Sequence, residues 1–271
     1  MSIRTTGRRG AAGVFLPLVG FGLFGCAALP QPSAEPPPLQ PAPAATPESE
    51  ADGEPSMDAA AAEIFPAPRC DGYVALTFDD GPSPNTPELL ELLDRAGVPA
   101  TFFNIGRNMA KYPDAVVAQA AAGHQFGNHT YSHADLLTID PETIAEEMAS
   151  TSALHEELVG EPFEFFRPPF GNTDPAIREE AERQGMVEAL WTTDSKDFEA
   201  GSVEQIVEKS TGMEAGGVLL VHEFPDLTLQ ALPQIINHYH ERGLCFGRLA
   251  VVDEPLRSDS DVDFFVGPVA P

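Results

Sequence analysis

The chain has 271 residues and a net charge of −27, with 42 acidic side chains against 15 basic ones. Such a field repels nucleic acid and anionic polymer surfaces, which excludes a nucleic-acid binder and points to a neutral or cationic substrate, a neutral glycan being one that fits. Three cysteines are too few for a disulfide scaffold or a cysteine zinc site, and the length is ample for one large α/β domain or two small ones.

Arg4, Arg8 and Arg9 precede an uncharged run from Gly10 to Cys26. Its length and Gly/Pro content suit the core of an export signal better than a membrane-spanning helix. The run ends in Leu-Phe-Gly-Cys, Leu23 to Cys26, which resembles the lipobox of bacterial lipoproteins, where the cysteine becomes the lipidated N-terminus. The alternative is an ordinary cleaved signal with an incidental cysteine. A leader over residues 1–26 carries three arginines and no acid, so its loss leaves a mature chain of about −30. Residues 27–69 are rich in Pro, Ala and acid and nearly lack large apolar side chains. They cannot bury enough surface to offset their ordering entropy and read as a disordered tether. An exported protein of the cell envelope is therefore expected, meeting a membrane only through an N-terminal lipid, or otherwise secreted or periplasmic.

The folded domain is expected over residues 70–253, where strand and helix patterns alternate. Tyr73–Phe78 reads as a strand, and Thr86 followed by Pro87 opens a leucine-striped helix that Gly97 stops. Next come a strand over 100–106, a helix over 113–123, a strand over 124–129, and a helix from Asp140 to Val159 closed by Gly160. Strands over 164–168, 186–193, 217–222 and 244–252 follow, separated by helices over 175–185, 203–212 and 227–243. Residues 254–271 read as an irregular acidic tail. Strands joined by helix-length crossovers are parallel, and seven of them favour a distorted (β/α)7 barrel. Cys70 opens the domain and Cys245 lies near its end, either bridged or as two buried thiols. Trp191, inside a predicted strand, is expected in the core, and His124, His155, His238 and His240 on the surface or on helices.

Ionisable residues fall where strands end. Asp79 and Asp80 follow the first strand, His129 and His133 the third, Arg167 the fourth, Asp194 and Asp197 the fifth, and His222 the sixth. In α/β barrels, active sites assemble at this rim because the βα loops converge there. Two imidazoles four residues apart can share one ion, and with Asp80 they supply two nitrogens and one carboxylate, leaving positions open as a catalytic metal site does. Zinc is the first expectation. Metal coordination lowers the pKa of water towards about 7, so the adjacent Asp79 suffices as general base.

Thr77–Pro82 (TFDDGP), His129–His133 (HTYSH), Arg167–Gly171 (RPPFG), Trp191–Phe198 (WTTDSKDF) and Leu219–His222 (LLVH) resemble, in order and spacing, the five motifs of the polysaccharide deacetylases, carbohydrate esterase family four. The similarity covers about 72–252. It implies a divalent ion, usually Zn2+ with Co2+ as a substitute, on Asp80, His129 and His133, with Asp79 as general base. It also implies that Arg167 keeps Asp79 ionised and oriented. His222 would be the general acid, with Asp197 orienting it and Asp194 as the lesser alternative, and the backbone N–H of Phe170 would stabilise the oxyanion. The implied substrate is an acetylated glycan, N-acetylated peptidoglycan or chitin-like oligosaccharide. The alternatives are O-acetyl hydrolysis on xylan or a similar polymer, and an idle glycan-binding module. The polymer and the oligomeric state stay open. Three positions depart from the family pattern: Phe170 replaces tyrosine, Phe198 replaces tryptophan, and Ala134 replaces a proline, which implies a looser loop after His133.

Overall fold

In the computed structural model the described residues are 70–251, with the backbone of Phe265–Val266. The expected leader over 1–26 and linker over 27–69 lie outside them, as does the tail over 254–271 apart from that two-residue strand. No helix among the described residues is long and apolar enough to cross a membrane.

Seven parallel strands form a curled sheet in the order β5-β4-β3-β2-β1-β7-β6. They are β1 (Gly72–Gly81), β2 (Thr101–Asn104), β3 (Gln125–Asn128), β4 (Phe165–Phe166), β5 (Val187–Glu188), β6 (Thr193–Asp194) and β7 (Val218–His222). The helices are α1 (Thr86–Ala96), α2 (Gly106–Lys111), α3 (Pro113–Ala121), α4 (Pro141–Val159), α5 (Pro175–Arg183), α6 (Val203–Ser210) and α7 (Asp226–Glu241). This is the distorted (β/α)7 barrel that the strand and helix pattern implies. A further strand, β8 (Leu244–Gly247), pairs with the first half of β1, and β9 (Leu249–Ala250) pairs antiparallel with β10 (Phe265–Val266).

β1 is buried on both faces, and its period of two separates two environments. Val74, Leu76 and Phe78 pack with Leu89 and Leu93 of α1 and with Leu232, Ile235 and Ile236 of α7. Ala75 instead joins Phe103, Phe165 and Ala189 inside the barrel, and Thr77 and Asp79 continue that inward row to Arg167. A second apolar layer, built on Met109, Val116, Met148, Phe166 and Ile177, covers the other half of the sheet with α2 to α5.

Caps follow the sequence. Asp140 accepts from the backbone N–H groups of Glu142 and Thr143 at the start of α4, and Gly97 ends α1 in the left-handed region at φ 62°. Thr86 is the first helical residue and Asn85 the N-cap, one residue earlier than expected.

Three predicted elements differ. The strand expected over 186–193 is two short strands, because the carbonyls of Ala189 and Leu190 turn inward to accept from the Arg167 guanidinium at 2.7 and 2.8 Å. The last predicted strand also divides: the Gln125 side chain takes both the N–H and the carbonyl of Leu249. Gly106–Lys111, read as the end of a strand and a connection, is the one and a half turns of α2.

Cys70 and Cys245 are disulfide-bonded, with Cα atoms 5.2 Å apart, settling the choice between a bridge and two thiols. The bridge ties the start of β1 to β8 across 175 residues. A loop of that length contributes about 5 kcal/mol in the chain-entropy picture.

Candidate active site and metal centre

Adjacent residues of a regular strand point to opposite faces, so Asp79 and Asp80 reach one site only if the strand breaks its period. It does so here. The register with β2 pairs Asp79 with Phe103 and Gly81 with Asn104, leaving Asp80 as the extra residue of a bulge. Asp80 has φ 68°, and the Asn108 side chain donates to its carbonyl at 2.8 Å. Strain of this kind recurs around the cleft. The five non-glycine residues with positive φ among the described residues are Asp80, Thr130, His133, Phe170 and Lys196. Each such backbone costs about 1–2 kcal/mol; Asp80 lies in the bulge at the end of β1 and the other four in loops that follow strands.

His129 follows β3 and is 2% exposed. Its Nδ1 lies 2.7 Å from the carbonyl of Arg167, which can only accept, so Nδ1 carries the proton and Nε2 faces Asp80. His129 Nε2 and His133 Nε2 stand 3.4 and 3.1 Å from Asp80 Oδ1. Neither ring is aligned to donate to that oxygen, which is buried without a hydrogen-bond partner among the described residues. Ligands about 2.0–2.1 Å from a tetrahedral ion sit about 3.3 Å apart. Two imidazole nitrogens and an orphaned carboxylate oxygen at these separations fit a zinc-like ion.

The loop that Ala134 implies to be loose is tied elsewhere. Glu147 of α4 accepts from Tyr131 N, Ser132 N and Ser132 Oγ at 2.8, 2.7 and 2.6 Å, and Thr130 Oγ1 accepts from His133 N at 3.1 Å.

Asp79, 3% exposed, is bound through Oδ1 to Arg167 Nη1 at 2.7 Å, and its Oδ2 lies 3.7 Å from His129 Nε2. Arg167 is fully buried; besides Asp79 it donates to Thr77 Oγ1, Ala189 O and Leu190 O, and its guanidinium lies 3.9 Å from the centre of the Phe103 ring. The β1–β7 register sets Asp79 opposite His222.

His222 Nδ1 and Asp197 Oδ1 are 2.7 Å apart, leaving Nε2 as the free nitrogen, and Asp197 Oδ2 accepts from His222 N and Thr228 Oγ1. Asp194 does not take this role. It pairs with Lys196 Nζ at 2.6 Å and accepts from Lys196 N.

The charges follow from these contacts. Burial pushes the Asp80 carboxyl up, but the imidazoles of His129 and His133 outweigh it and hold the group well below the usual carboxylate range. Burial likewise lowers His129, and Asp79 and Asp80 more than offset it, so the ring sits above its ordinary value. The cluster thus favours positive charge, which a proton or a divalent ion supplies.

A cleft of about 330 Å³ joins these groups. Phe170 is 63% exposed and meets the His133 ring edge-on at 4.7 Å, and Phe198 meets His222 in the same way at 5.3 Å. Phe224, which the sequence reading passed over, adds a third exposed ring 5.5 Å from His222. Its only signal was an aromatic two residues past a candidate acid. Trp191 is half-buried outside any strand; it packs against the core cluster of Ala75, Phe103 and Phe165 and also lines the cleft, because the chain leaves the sheet at Leu190 to serve Arg167. His155, expected on the surface or a helix, is a helix residue buried at 1% and stacked on Phe163.

The polysaccharide deacetylase profile matches residues 67–189. A peptidoglycan-N-acetylglucosamine deacetylase of Bacillus cereus is 35% identical over 191 residues, 68% of this chain and 70% of that protein. A bifunctional xylanase/xylan deacetylase of Cellvibrio japonicus is 31% identical over 66% of this chain, which spans only 27% of that larger protein. Among solved structures, the family 4 carbohydrate esterase from Streptomyces lividans in complex with acetate superimposes with a TM-score of 0.67 at 34% identity, covering 73% of this chain and 99% of that one. Sequence and fold agree, and the chain belongs to the polysaccharide deacetylases, carbohydrate esterase family 4.

Proposed function

We propose that this protein hydrolyses N-acetyl groups of a cell-wall or extracellular glycan of the peptidoglycan or chitin-like kind, with a divalent ion held by Asp80, His129 and His133. The observation that carries this is the facing pair Asp79 and His222, a base and an acid on adjacent strands beside the three-residue cluster. When bound, Zn2+, or Co2+ in its place, polarises the acetyl carbonyl and acidifies water. Asp79, anchored by Arg167, takes the proton of the attacking water through Oδ2. The backbone N–H of Phe170 donates to the carbonyl oxygen as it gains charge. His222, oriented by Asp197, gives the Nε2 proton to the departing nitrogen, and the C–N bond breaks to acetate and an amine. The acidic surface suits that product, an ammonium. The Cys70–Cys245 bridge suits an exported enzyme of the cell envelope.

The similarity to a xylan deacetylase favours a second reading, O-acetyl hydrolysis at the same site. Acetate release from peptidoglycan, chitooligosaccharide and acetylated xylan separates the two. Faster release from the N-acetylated glycans is expected; release from xylan alone assigns the esterase, and none from any of them leaves a binding module.

Two further results are expected. His222→Gln lowers N-acetyl turnover by about 10²–10³-fold but ester turnover far less, because an alkoxide leaves with less help from an acid. Burial depresses the His222 imidazole, yet Asp197, joined by the charges of Asp79 and Asp80, outweighs it and raises the ring above its ordinary value. A general acid is present below its folded pKa and lost as pH rises through it, so the alkaline limb of kcat/KM reports His222. Asp197→Asn moves that limb to lower pH, because the neighbouring carboxylate that favours the protonated ring is gone. A limb that stays in place in a pH–rate profile contradicts the assignment.

A further inference from the structure

Beneath the site lies a buried acid that this chemistry does not use. Glu223 follows His222 and is 1% exposed. Its N–H donates to the Asp79 carbonyl at 3.1 Å, and its own carbonyl accepts from Ser83 Oγ at 3.2 Å. Its side chain runs under the turn after β1: a Cβ added to Gly81 would stand 1.7 Å from Glu223 Oε2 and 2.9 Å from Asn104 Oδ1. Glu223 Oε1 is hydrogen-bonded with Thr86 Oγ1. Oε2 accepts from Gln119 Nε2 at 3.4 Å, and Gln119 Oε1 accepts from Asn104 Nδ2 at 2.8 Å.

Counting hydrogens shows what this network lacks. The single Thr86 hydroxyl hydrogen is also within reach of Ser83 O at 2.9 Å. Asn104 Oδ1 is buried and meets no donor among the described residues. Ser83 O also accepts from Thr86 N–H at 3.2 Å, so the hydroxyl hydrogen can go to Glu223. The acceptor left without a donor is Asn104 Oδ1, which shares the space over Gly81 with Glu223 Oε2. An ionised Glu223 brings only another acceptor there, whereas a carboxylic acid brings a hydrogen. Burial pushes the Glu223 carboxyl up to about 7, against the opposing hydrogen bonds of Thr86, Ser83 and Gln119. Its side-chain partners are all neutral.

We propose that Glu223 is a positioning residue for deacetylation: its carboxyl, a hydrogen-bond donor as well as an acceptor, is the floor on which the Asp79–Gly81 turn rests and fixes how the two aspartates are set apart. This rests on the reading of Asp79 as base and Asp80 as metal ligand. Gly81 has no side chain because the carboxyl occupies that space.

The test uses the full chain loaded with Zn2+, measuring chitooligosaccharide turnover, Zn2+ affinity and melting for Glu223→Gln and Glu223→Ala, each with and without Gly81→Ala. Glu223→Gln keeps the shape and a donor, and is expected to stay within about threefold of wild type in kcat and Zn2+ Kd. Glu223→Ala is expected to lose about 10–100-fold in kcat and in Zn2+ affinity, with KM little changed, the range seen for outer groups that orient metal ligands. Gly81→Ala is expected to cost at least about tenfold in the wild type but about threefold or less in the Glu223→Ala background, because the oxygen it strikes is gone. Three results overturn the proposal: an Ala variant within about threefold of wild type, a folded Gln variant as impaired as Ala, or additive effects of Gly81→Ala. If Glu223→Ala shows no cooperative melt, Glu223→Gln decides alone. A wild type that releases no acetate overturns the deacetylase reading instead, and the Zn2+ affinities of the Gln and Ala variants still decide this one.

Discussion

Asp79→Asn is expected to lower kcat/KM on an N-acetylated glycan by about 10³-fold while leaving the affinity for a divalent ion within about threefold. The residue is 3% exposed on the inward face of β1, and Arg167 occupies one of its carboxylate oxygens at 2.7 Å. The other oxygen stays beside the Asp80, His129 and His133 cluster without being one of its three ligand atoms. Asparagine keeps the volume and can still pack against the guanidinium, but it cannot accept a proton from water. Steady-state acetate release and bound-metal analysis on one preparation check both halves. Turnover within about tenfold of wild type places the base elsewhere, and loss of the ion makes Asp79 a ligand.

Arg167→Met carries the largest expected effect on stability. Removal of the guanidinium leaves the Asp79 carboxylate buried and unpaired and takes donors from Thr77 Oγ1, Ala189 O and Leu190 O together. Breaking a buried pair from one side costs about 3–5 kcal/mol. For a domain of this size that is about 10 °C in Tm, and it comes with loss of activity. Asp79→Asn combined with Arg167→Met is expected to recover part of the stability and none of the turnover, because the residual cost is that of the uncompensated charge. Denaturant unfolding of the two single variants and the double variant measures this. A single variant within about 1 kcal/mol of wild type shows that the arginine is not what neutralises Asp79.

The clustering of the candidate site residues was legible because barrel topology converts sequence order into geometry: a charged residue at the end of a strand lies at one rim, wherever it stands in the chain. That rule alone brings Asp79, Asp80, His129, His133, Arg167, Asp197 and His222 to one place, and the structure has them there. Long, regularly patterned elements such as β1, α4 and α7 were legible for the same reason, since their burial follows one period. What was not legible depends on partners far away in sequence. Ala189 and Leu190 leave the sheet because a fully buried arginine 22 and 23 residues earlier needs their carbonyls. That departure carries Trp191 out of the expected strand and into the cleft. The bulge at Asp80 cannot be read from Asp-Asp-Gly-Pro alone, which equally spells an acidic turn. Glu147 sits in mid-helix like any solvated acid, and only the fold shows that it holds the histidine loop.

The most direct test is to strip the purified protein with a chelator and titrate Zn2+ back while following acetate release from an N-acetylated chitooligosaccharide. Activity should vanish on stripping and return in full at about one ion per chain in the wild type, and His133→Ala and Asp80→Ala should neither hold the ion nor recover. Undiminished acetate release from protein shown to be free of divalent ions would contradict the metal centre on which this mechanism stands.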